Sequence, residues 1–141
     1  MNPDRALVTG RLQELERVAS ELERHLGQTV EGLGEDLSHR WAVERGLLAG
    51  LAIIFDISDH ILATDFGIYP KTYEESLERL HRASVISESL YQGLKGSGGF
   101  RNVLVHEYTE IDLHIVVSVL HKAPGLFREF AREIVGCLER T

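Results

Sequence analysis

At 141 residues, the length fits one domain spanning 1–141, and 43% apolar content is enough for a core without disulfides. The lone cysteine, Cys137, has no partner for an intramolecular bridge, which points to a reducing cytoplasm, and no basic-then-apolar leader opens the chain. A net charge of −7, with no two Lys or Arg residues adjacent, excludes a general nucleic-acid binder that works through a basic patch.

In chain order, Leu7, Leu12, Leu15, Val18, Ala19, Leu22 and Leu26 recur at helical spacing and predict an amphipathic helix ending near Gly27. Gly32 and Gly34 read as the following loop, and Ser38 as the cap of a second helix running to about Asp65. The centre of that helix, Gly46 to Ile57, is apolar on every face. Such a segment is covered on all sides, and with few other helices available the expected cover is a second subunit. Its longest apolar stretch, Leu47 to Ile57, falls short of the ~20 residues that span a bilayer, so no membrane segment is expected. Gly67 to Lys71 reads as a turn and Thr72 as a cap, with Glu75 completing a capping box. Leu77, Leu80, Val85, Ile86 and Leu90 carry on a helical pattern that breaks near Ala83-Ser84. Gly93 to Gly99 reads as a loop, followed by a helix that bends near Thr109-Glu110 and continues through Asp112 to His121. Pro124 reads as the start of the last helix, with Leu126, Phe127, Phe130, Ile134 and Leu138 as its stripe. No strand alternation and no internal repeat is present. The fold class is all-α, a helical bundle.

The chemistry is concentrated in Phe100-Arg101-Asn102-Val103-Leu104-Val105-His106-Glu107-Tyr108. Arginine offers phosphate a planar, permanently charged fork, and histidine exchanges a proton near neutrality. At 100° per residue, Phe100, Val103 and Leu104 face the core. Arg101 and Tyr108 share one edge of the opposite face, Asn102 and His106 stack along the other, and Val105 lies between. An exposed valine within that polar patch is explained if two such helices meet across a two-fold axis and line one cleft.

Four ordered segments, Arg40-Trp41-Ala42-Val43-Glu44-Arg45, Ile54-Phe55-Asp56-Ile57-Ser58-Asp59-His60, Tyr69-Pro70-Lys71-Thr72-Tyr73 and Phe100 to Tyr108, resemble the HepT-like branch of the HEPN proteins. These are small all-helical proteins, many of them prokaryotic toxin ribonucleases. The resemblance covers roughly Arg40 to Leu120. It departs at Gly96-Ser97-Gly98-Gly99, where a more apolar approach to the motif is expected. It implies a homodimeric, up-and-down HEPN bundle in the cytoplasm that cleaves RNA through the substrate's own 2′-hydroxyl, with no metal and no cofactor. In that reading His106 is the general base or acid, Arg101 binds the phosphate and Asn102 orients it or the imidazole. The implied partner is a minimal nucleotidyltransferase antitoxin that transfers AMP to the motif tyrosine, here Tyr108. The alternative is a non-catalytic helical module that only docks to such an enzyme.

The remaining candidates have blander readings beside them. Arg45 helps hold phosphate and Asp56 tethers the motif helix, or each forms an interhelical salt bridge. Asp56, Asp59 and His60, at i, i+3 and i+4, read as a solvated or capping cluster rather than a metal site. Cys137 reads as a small buried hydrophobe, since no neighbouring His or Lys activates it.

Overall fold

The computed structural model describes residues 4–106 and 111–140, and every regular element among them is a helix. These are α1 (Arg5–Glu23), α2 (Val30–Glu35), α3 (Leu37–Phe66), α4 (Tyr73–Arg82), α5 (Glu88–Leu94), α6 (Ser97–His106) and α7 (Leu113–Glu139).

The amphipathic first helix buries Val8, Leu12, Leu15, Ala19 and Leu22, with Asp4 as its cap. Leu7, predicted to face the core, is instead 51% exposed, and Val8 takes the buried position. The glycines at 32 and 34 do not make a loop. Thr29 caps α2 by accepting a bond from the Gly32 N–H at 3.0 Å, and Leu33 is fully buried. One cap and one anchoring leucine offset the low helix propensity of two glycines here.

The long helix α3 starts two residues earlier than Ser38 implies, because Asp36 is the cap and accepts from His39 N–H. It ends at Gly67, whose φ of 65° is left-handed; Gly67 N–H reaches Ala63 O, the bond of an αL closure, and Ile68 N–H reaches Leu62 O. At 30 residues α3 is long and apolar enough to cross a membrane by length and composition, more than the Leu47–Ile57 stretch suggests. More than half of its apolar window is buried inside the bundle.

The cover for α3 comes from its own chain. α1 runs antiparallel to it, as the Arg11–Asp56 and Leu22–Gly46 pairings show. α1 is also antiparallel to α7, through Arg5 to Leu138 O and Arg128 to Glu16 and Glu23. α3 and α7 are therefore parallel neighbours. They approach so closely at Gly50 that a Cβ there would sit 2.2 Å from the Phe127 ring. Val43, Leu47, Leu51, Ile54, Phe55, Ile57, Ile61 and Leu62 are all buried without a second subunit. The segment Gly46–Ile57 thus does not by itself require a dimer.

Thr72 caps α4 as expected, accepting from Glu75 N–H at 3.0 Å, while the Glu75 carboxylate reaches back one residue further than in the standard box, to Lys71 N–H. The break lies where it was predicted: Ala83 closes α4 and Ser84 adopts a φ of 61°. The Gly93–Gly99 region is mostly helical, since α5 ends at Leu94 and α6 begins at Ser97. Pro124 does not open a helix. It lies buried inside α7, which begins eleven residues earlier at an Asp112 cap. An internal proline forfeits one backbone bond and costs about 3 kcal/mol, offset by the continuous burial of Val116, Leu120, Ala123, Phe127, Phe130 and Ile134. The expected bend at Thr109-Glu110 lies outside the described residues.

Candidate active site

α6 carries the Arg-x4-His motif on a base supplied by α4. Glu74, in the first turn of α4, accepts from Gly96 N–H at 2.9 Å and Gly98 N–H at 2.7 Å. Its carboxylate thereby satisfies donors at the open start of α6 and puts a negative charge against the positive end of that helix. The helices touch at Gly98, where a Cβ would lie 2.8 Å from Tyr73 Cβ and 2.9 Å from Glu74 Oε2. The glycine-rich approach therefore serves close packing between α4 and α6.

Leu104 is buried, and Phe100 and Val103 pack half-buried against the core, so the predicted inner face is the observed one. Asn102 and His106 are exposed, and Val105 is half-buried rather than exposed. Arg101 lies over the Tyr73 ring with its guanidinium carbon 4.8 Å from the centroid. Tyr73 in turn packs on the fully buried Phe55, ring centroids 4.6 Å apart and tilted by 37°. Among the described residues Arg101 has no carboxylate partner and His106 no hydrogen-bond partner. Tyr108, with Glu107, lies outside the described residues.

The supporting residues are not brought to this helix. Asp56 is exposed and ion-paired to Arg11 of α1, so it joins α1 to α3 and does not tether α6. Arg45 is exposed on the N-terminal half of α3, in a groove shared with Arg17 and Leu22 of α1, and has no ion pair among the described residues. The Asp56, Asp59 and His60 trio is dispersed: Asp56 to Arg11, Asp59 to Ser76 at 2.6 Å, and His60 Nε2 accepting from Asp4 N–H at 3.1 Å. Among the described residues no group of three or more His, Cys, Asp or Glu side chains could hold a metal ion. Cys137 is buried, and burial pushes its thiol pKa up, as an unactivated cysteine requires.

Sequence reasoning missed Tyr73 and Glu74. Tyr73 stands in a segment that carries the family resemblance, but no spacing ties it to Arg101. Glu74 reads in sequence as an ordinary first-turn acid of its own helix.

The fold is shared with solved structures: a toxin–antitoxin complex with AMP-PNP (TM-score 0.83, 22% identity, 94% of this chain and 99% of that one). A tri-AMPylated HEPN toxin from Shewanella oneidensis in complex with an MNT antitoxin superposes at a TM-score of 0.82 (24% identity, 96% and 99% covered). The cytosolic protein YutE of unknown function from Bacillus subtilis reaches 0.83 (19% identity, 99% and 94% covered). Residues 15–134 match the family described as Ribonuclease HepT-like, and the chain belongs to that family. Its relatives include a putative RNase from Archaeoglobus fulgidus, 32% identical over 94 residues, 67% of this chain and 70% of the relative. The mRNA nuclease HepT of Shewanella oneidensis is 28% identical over 107 residues (73% and 80%), and the tRNA nuclease HepT of Aphanizomenon flos-aquae 25% over 133 (94% and 90%).

Proposed function

We propose that this HepT-like ribonuclease is the toxin of a toxin–antitoxin pair, a homodimeric, metal-independent cytoplasmic RNA endonuclease restrained by a minimal nucleotidyltransferase. The observation that carries the catalytic part is Arg101 held on the Tyr73 ring with no carboxylate partner among the described residues, on the same helix as an exposed Asn102 and His106. RNA supplies its own nucleophile. The 2′-oxygen attacks phosphorus, the P–O5′ bond breaks, and the products are a 2′,3′-cyclic phosphate and a 5′-hydroxyl. His106 takes the 2′ proton or gives one to the departing 5′-oxygen. Arg101 neutralises the charge that grows on the phosphoryl oxygens, and Asn102 orients the phosphate. A dimer placing two α6 helices about a two-fold axis would cover Val105 and join the two sets into one cleft.

Control falls on Tyr108. Its phenolic oxygen attacks the α-phosphorus of ATP on the nucleotidyltransferase, releasing pyrophosphate and leaving a phosphodiester-linked AMP. An anionic adduct two residues beyond His106 would pair with Arg101, as arginine–phosphate contacts are strong and bidentate, and would occupy the RNA phosphate position. The similarity to relatives whose names and assemblies are those of nucleases and antitoxin-bound toxins supports this reading. The test is twofold. Purified protein should cleave RNA in EDTA to cyclic-phosphate ends, and mass spectrometry after incubation with the nucleotidyltransferase and ATP should place AMP on Tyr108 and none on Tyr108→Phe. Absence of cleavage, or an adduct on Tyr69, Tyr73 or Tyr91, overturns the corresponding part.

A further inference from the structure

Beside Asn102 a groove of about 370 Å³ opens between α6 and the α3–α4 junction, lined by Asp59, Pro70, Lys71, Tyr73, Ser76 and Asn102. We propose that this groove is a nucleobase subsite for the nucleotide next to the cleaved phosphate, and that Asp59 makes it select guanine. The inference rests on the ribonuclease reading above.

Asp59 is exposed on its groove side but not free to swing, because its Oδ1 accepts the Ser76 hydroxyl at 2.6 Å. Ser76 is itself buried, 1% exposed, and anchored in α4. The carboxylate therefore presents Oδ2 and the remaining Oδ1 lone pair in a set direction. A carboxylate is an acceptor-only group when ionised. Guanine alone among the four bases offers two adjacent donors, N1–H and the 2-amino group, on the edge that single-stranded RNA exposes when a base is splayed out. Adenine and cytosine offer one exocyclic amine and uracil one imide N–H.

The other walls suit the rest of a nucleotide. The Pro70 ring gives an apolar surface. Lys71 is exposed and has no carboxylate partner for its ammonium among the described residues, so it is available to a flanking phosphate; only its backbone N–H is engaged, by Glu75. Asn102 brings an amide from the motif helix. Tyr73 is shared, since it lines the groove and its ring underlies Arg101. A base in the groove would thus enter directly beside the cation assigned to the scissile phosphate. No Arg or Lys cluster is needed, in keeping with the acidic chain.

The experiment is single-turnover and steady-state cleavage by the full chain of short single-stranded RNAs that differ only in one base beside the cut linkage, with inosine as a fifth base. Wild type should favour guanine by roughly tenfold in kcat/KM, the discrimination a good bidentate base contact provides. Inosine, which lacks the 2-amino group, should lose most of that advantage with the protein unaltered. Asp59→Asn keeps an acceptor for Ser76 and should level the four rates. Lys71→Ala should raise KM and make the log KM against log salt slope shallower by about 0.7, one phosphate contact on a single strand. Equal rates for all four bases, or an Asp59→Asn variant that still prefers guanine, overturns the subsite while leaving the ribonuclease in place. Failure of wild type to cut any of these RNAs brings down both.

Discussion

Arg101 differs from an ordinary surface arginine in what lies beneath it. Stacking on Tyr73, itself seated on buried Phe55, restricts a long side chain whose freedom would otherwise oppose the proposed phosphate contact. A cation–π contact contributes about 0.5–2 kcal/mol depending on solvent exclusion. Tyr73→Leu should therefore lower kcat by roughly tenfold, and Tyr73→Phe, which keeps the ring, should recover most of it. Equal losses for the two variants would mean that the hydroxyl or the fold matters rather than the aromatic face. Arg101→Ala and His106→Ala should each reduce RNA cleavage by about 10²–10⁴-fold with circular dichroism unchanged. His106 is exposed and Arg101, half-buried on the Tyr73 ring, is not part of the buried core, so removing either side chain leaves the core as it is. The placement of Arg101 and His106 on the outer side of α6 was legible from the sequence, because helical spacing decides which residues share a face. Tyr73 was not, because its partner lies 28 positions away.

At the scale of elements, the α4–α6 contact sets where the motif points. Gly98→Ala would drive a methyl group into Tyr73 Cβ and Glu74 at under 3.0 Å. It should cost about 1–3 kcal/mol by overpacking, and because the strain moves α6 against α4, cleavage should fall as well. Thermal melts and cleavage rates on the same sample would show whether the two losses occur together. A second element contact holds α1 to α7: Arg128 donates to Glu16 at 3.0 Å and to Glu23 at 2.6 Å. Both carboxyls are held below their usual value of 4.5, chiefly by the hydrogen bond from Arg128. A depressed folded pKa means that the unfolded chain binds more protons in that window. The stabilisation is therefore complete above about pH 4.5 and lost as pH falls through the folded values. The melting temperature of wild type should drop more steeply than that of Arg128→Ala between about pH 6 and about pH 3, and parallel curves would show that the pair contributes nothing.

For the whole molecule, the bundle buries the apolar centre of α3 with α1, α4, α6 and α7, so a proposed dimer has to rest on the α6 surface rather than on that segment. Val105, half-buried beside exposed Asn102 and His106, is the residue to probe. Val105→Glu would set two like charges near the proposed axis, and it should weaken association and cleavage together. Light scattering on a sizing column checks the first and RNA cleavage the second. A wild-type monomer at micromolar concentration would show that the two α6 helices do not share one cleft.

Much of this protein is local, and the local part could be read from sequence. Helical periodicity, the Thr72 cap, the break at Ser84 and the inner face of α6 depend on residues within a turn or two of one another, where spacing and propensity decide the outcome. Tertiary packing decided the rest. It made helices of Val30–Glu35 and Ser97–Gly99 despite their glycines, carried α7 through Pro124, and gave α3 its cover from within the chain. It also paired Asp56 with Arg11 instead of α6, set Glu74 at the open end of the motif helix, and laid Arg101 on Tyr73. Each of these outcomes joins residues distant in sequence, and burying a shared surface can outweigh a local cost of a few kcal/mol that sequence pattern alone takes as decisive.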